Sequence, residues 1–141
     1  MTTKADLTEI EWQTMQRGVT GAGMLVSLAD QDFSDSWGES SALAKYLAAQ
    51  RTIGTTQLMR DLGATHGTGF GLTAKPDEVR NGTIEALRST IALLGQKAPD
   101  EVEPYRQLVL GAAAAVAQAK SGVKPSEEAA IAIITEAMAV A

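Results

Sequence analysis

The chain contains no cysteine. Disulfides, thiolate metal sites and cysteine nucleophiles are therefore excluded. Aromatic residues are scarce at 4%, and His66 is the single histidine. A core with so few rings must come from closely approaching helices carrying small and aliphatic side chains. Positive charge is also in deficit: 12 Lys and Arg face 17 Asp and Glu, for a net charge of −5 and a pI near 4.8. Such a balance argues against nonspecific binding to nucleic acid or anionic membranes, because phosphate neutralisation needs a Lys/Arg surface. No apolar stretch approaches the ~18–20 residues of a membrane span. The opening "MTTKADLTEIEW" has no apolar segment of the signal-peptide kind. The expectation is a cytoplasmic protein with neither a membrane nor a nucleic-acid partner.

At 141 residues, 45% of them hydrophobic and 21% charged, the chain has the length and composition of one globular domain with a sizeable core. Helix punctuation dominates it. Thr8 and Glu11 have capping-box spacing, followed by Ile10, Met15, Val19, Ala22, Val26 and Ala29 on one face. Gly18, Gly21 and Gly23 predict a bend or a break in that helix. Ser36 and Glu39 form a second capping box, opening a helix to about Arg51. A short helix is predicted over 55–63, closed by Gly63, and a loop over 64–74. Pro76, followed by Asp77 and Glu78, opens a helix with the stripe Ile84, Leu87, Ile91 and Leu94, predicted to stop at Gly95.

Pro99 opens the next helix, with Pro104 obscuring its true start. Tyr105, Leu108, Ala112, Val116 and Ala119 share a face, and Gly122 is the predicted end. The Ala-rich stretch 112–119 fits either a central buried helix or a tight helix crossing between copies. Pro125 opens the last helix, with Ile131, Ile134 and Met138 inward. No period-2 alternation competes. The prediction is an all-α single domain over residues 1–141, of about six or seven helices.

Shifting the sequence by 90 residues superposes "GAGMLVSLA" (21–29) on "GAAAAVAQA" (111–119), with Gly21/Gly111, Ala22/Ala112, Val26/Val116 and Ala29/Ala119 coinciding. Each segment leads through a polar turn into a capped helix. The repeat predicts two helical hairpins related by a pseudo-twofold.

At these turns the chain resembles the TerB-like, tellurite-resistance-associated helical family, whose pattern is an apolar helix ending in Ala-Asp-Gly, a small or aliphatic residue with Ser, then Glu opening the next helix. "SLADQDFSDSWGE" keeps Ala29, Asp30, Phe33 and Ser34, but has Gln31 for Gly and places Glu39 further along. "AKSGVKPSEE" keeps Ala119, Gly122, Val123 and Glu127, with Lys120 in place of Asp. The likeness covers most of 7–51 and 97–141. It implies an all-helical, non-enzymatic protein linked to tellurite, metal or general stress responses, with acidic residues binding divalent cations.

Asp30, Asp32, Asp35 and Glu39 are the candidate metal ligands, for Ca²⁺, Mg²⁺ or Mn²⁺. Asp30, Asp32 and Ser34 have the i, i+2, i+4 start of an EF-hand loop. The sixth position is Asp35 rather than Gly and the twelfth is Ser41 rather than Glu, so an EF-hand is rejected. A looser site is compatible with four carboxylates that repel unless a cation or water separates them. The competing account seats Asp35 and Glu39 at the positive helix N-terminus and leaves Asp30 and Asp32 in water.

"THGTGFG" (65–71) carries His66 among three glycines, but no phosphate-loop fingerprint and no preceding strand. A lone histidine makes neither a zinc site nor a nucleophile's triad. Trp12 and Trp37 flank the first hairpin, as core or staple residues or, if exposed, as anchors for a protein partner or a second copy of the chain. A protein-interaction or scaffold module without a metal site is thus the alternative function.

Overall fold

The computed structural model describes residues 3–29, 36–65, 75–119 and 125–139, with the backbone alone for 36–41. The described residues form six α-helices and no strand: α1 (Glu9–Ala29), α2 (Ser36–Ile53), α3 (Gln57–Leu62), α4 (Pro76–Lys97), α5 (Val102–Ala117) and α6 (Pro125–Ala137), with short 3₁₀ turns at Lys4–Asp6 and Pro99–Glu101. The all-α expectation holds. All six helices contribute to one cluster of buried apolar side chains. None is long and apolar enough to cross a membrane.

Helix α1 starts on the predicted capping box. Thr8 N donates to Glu11 Oε1 at 2.9 Å, and Glu11 N donates to Thr8 Oγ1 at 3.1 Å. The predicted break at its glycines does not occur: α1 runs unbroken for 21 residues. Those glycines are where neighbours press in. A β-carbon at Gly18 would overlap the Tyr105 hydroxyl, and one at Gly23 would lie 2.8 Å from Leu43 Cδ2. Burial of the surrounding helix face offsets the low helix propensity of glycine. Met15, Val19, Ala22 and Val26 are buried as expected, whereas Ile10 is 76% exposed. Periodicity includes Ile10, but no element covers that part of the first turn.

Helix α3 is closed by Gly63 as predicted, and Thr56 caps its start. Thr56 Oγ1 accepts from Met59 N at 3.2 Å, and Gly63 N reaches back to the Met59 and Arg60 carbonyls. Helix α4 begins at Pro76 but passes through Gly95 and ends at Lys97. Glycine only weakens a helix, and the true stop is Pro99, which removes the preceding residue Ala98 from helical geometry (φ −153°, ψ 69°). Helix α5 takes Pro104 in its first turn, where a missing N–H costs nothing. It ends at Ala117 rather than Gly122. Gln118 and Ala119 are already exposed, so the buried face has run out. Ile134 in α6 and Met138 just past its end are buried, and Ile131 is half-buried.

Cross-helix contacts fix the directions. Tyr105 near the start of α5 meets Met15 in the first half of α1. Further along, α1 meets Leu43 through Gly23, and α5 meets Tyr46 through Leu108 and Gly111. Helices α1 and α5 therefore run side by side in the same direction. Helix α2 runs against α5: Tyr46 pairs with Leu108, and Thr56, just beyond α2, pairs with Glu101, just before α5. Helix α6 also runs against α5, since Arg106 Nε donates to the Met138 carbonyl at 2.8 Å. The second helix of each hairpin packs more on the other hairpin's first helix than on its own: α2 on α5, and α6 on α1. Helix α4 lies along α1.

Candidate functional site

These directions bring four helix ends together. The C-termini of α1 and α5 and the N-termini of α2 and α6 lie at one end of the bundle. The two polar turns found in the sequence, 30–35 and 120–124, join these ends in pairs. In sequence, this end carries Asp30, Asp32, Asp35, Glu39, Glu127 and Glu128 against only Lys120 and Lys124. The residues in and beside these two turns are on balance acidic in sequence, and they come from two separate halves of the chain.

Of the candidate ligands, Asp30, Asp32 and Asp35 lie outside the described residues. Glu39 is placed in the backbone of α2, which begins at Ser36, where the sequence predicts a helix start. The alternating helix ends have a direct electrostatic consequence. Carbonyl-rich C-termini of α1 and α5 make this end more negative, and the amide-rich N-termini of α2 and α6 offer partial positive charge to first-turn carboxylates. Among the described residues, no three His, Cys, Asp or Glu side chains gather in a way that could hold a metal ion.

One residue that the family resemblance names is not among the candidate ligands. Glu127, in the first turn of α6, is fully buried, while its neighbour Glu128 is exposed. A buried carboxylate requires compensation by hydrogen bonds, an opposite charge or a cation. Position in the first turn of a helix supplies part of it. The sequence did mark the position, through Pro125 and the Ser-Glu-Glu that follows. Spacing alone does not distinguish which glutamate turns inward, because that depends on how α6 rolls against α1.

The opposite end of the bundle gathers other polar contacts. Glu11, besides capping α1, holds Lys97 Nζ at 3.0 Å to each carboxylate oxygen and so ties α1 to the end of α4. The hydrogen bond from the Thr8 backbone, then the one from Lys97, lowers the Glu11 pKa below the ordinary carboxylate value. Glu101, buried just before α5, accepts from Thr56 Oγ1 at 2.7 Å. One threonine thus caps α3 and binds it to α5. Trp12 is buried at 7% exposure, with Lys4 Nζ 5.3 Å from its ring centroid, which agrees with a packing role rather than an exposed anchor. Beside it, Lys4, Leu7, Glu9, Gln13 and Gln16 line an open cleft. Gln16 Nε2 donates to Thr65 Oγ1 at 3.3 Å, tying α1 to the residue before His66. His66 and Trp37's side chain lie outside the described residues.

No protein-family model, curated protein or solved structure matches the chain.

Proposed function

We propose that the chain is a non-enzymatic helical binding module of the TerB-like kind, holding a divalent cation at its acidic end in a cytoplasmic tellurite, metal or general stress response. The observation that supports this reading is the convergence of α1, α2, α5 and α6. It brings the helix ends flanking Asp30, Asp32 and Asp35 to the same end as Glu39 and the buried Glu127. Carboxylate oxygens suit hard cations such as Ca²⁺, Mg²⁺ and Mn²⁺, and Ca²⁺ in particular accepts a flexible set of them.

The test is a titration of demetallated protein with each of the three cations, followed by melting temperature. A ligand that binds only the folded state stabilises it by about 2.7 kcal/mol at a hundredfold excess over its dissociation constant. The expected outcome is a concentration-dependent rise that disappears in the Asp30→Ala, Asp32→Ala double variant. No rise at millimolar cation, or an equal rise in the double variant, overturns the proposal.

One observation favours the competing reading of a protein-interaction module that meets a protein partner or its own second copy. Ile10 and Ile53 are exposed, at 76% and 68%. That reading expects the melting temperature to ignore all three cations.

A further inference from the structure

No further inference is drawn: the strongest candidate, the open cleft of about 490 Å³ between the N-terminal 3₁₀ turn and α1, lined by Lys4, Trp12, Gln13 and Gln16, has nothing in the structure to show what occupies it.

Discussion

Two residues, both tyrosines, carry the same device. Tyr105 on α5 donates its hydroxyl to the Met15 carbonyl at 2.8 Å, three residues before Gly18. Tyr46 on α2 donates to the Leu108 carbonyl at 3.1 Å, three residues before Gly111. In each case a β-carbon on the glycine would overlap the phenol oxygen. The glycine is a notch, and the hydroxyl fills it. Gly18→Ala is therefore expected to destabilise by about 1–3 kcal/mol through overpacking, and Tyr105→Phe by about 1 kcal/mol through the lost hydrogen bond. The two changes should not add, because the phenylalanine lacks the oxygen that the new methyl would strike. Urea unfolding of the two single variants and the double variant measures that coupling. Strict additivity would mean that the notch and the hydroxyl are independent. Neither notch was legible in the sequence. Gly18 reads as a helix weakness until a partner 87 residues away is known to occupy it.

Glu11 is a second residue with two tasks, and pH separates them from the rest of the fold. Its folded pKa lies below the ordinary value of 4.5. The ionised form is thus favoured by folding, and its stabilising effect is present above the unfolded value. That effect fades as pH falls below about 4.5 and is gone below the depressed folded value. Glu11→Gln should therefore cost stability at neutral pH and progressively less in acid. Denaturant melts of both proteins at pH 7 and below pH 4 check this, and a gap that stays constant would contradict it.

Among elements, the starts were easier to read than the stops. Thr8 with Glu11, Pro76 and Pro125 each act through atoms a few residues away, so spacing alone locates them. Stops depend on what the helix is packed against. Gly95 resembles a C-cap, yet α4 continues past it, because Leu94 is still buried and nothing local forbids helix before Pro99. Gly95 also has open space where a β-carbon would sit. Gly95→Ala should therefore stabilise the protein by about 0.5–1 kcal/mol, from higher helix propensity and a less flexible unfolded chain. A lower or unchanged urea midpoint would mean that α4 needs the glycine for a reason other than space. Ile10 fails in the same way as Gly95: its period is correct, but its exposure is set by where neighbouring helices stop.

At the level of the molecule, the 90-residue echo in the sequence reappears as geometry. Tyr105 and Met15, 90 positions apart, touch across the parallel pair α1 and α5. Residues that correspond in sequence thus lie at the same height along this pair, and the C-termini of α1 and α5 share one end of the bundle. The acidic composition of one turn was plain in the sequence. That the end of α1 and the start of α2 lie at the same end of the bundle as the start of α6 was not, since helix direction is settled by contacts such as Tyr46 with Leu108 and Thr56 with Glu101.

The same two tyrosines have a further, optical consequence. They are the chain's entire complement of phenols, and burial raises the pKa of both, most strongly for Tyr105. Folding therefore favours the protonated form of each, so stability declines as pH rises above the unfolded value of about 10. Phenolate absorbance should stay low in alkali until the helices separate, then rise together with loss of helical circular dichroism. A phenolate signal that climbs smoothly while helicity is intact would contradict this. The protein carries its own chromophoric gauge of the α1, α2 and α5 contacts, with no label required.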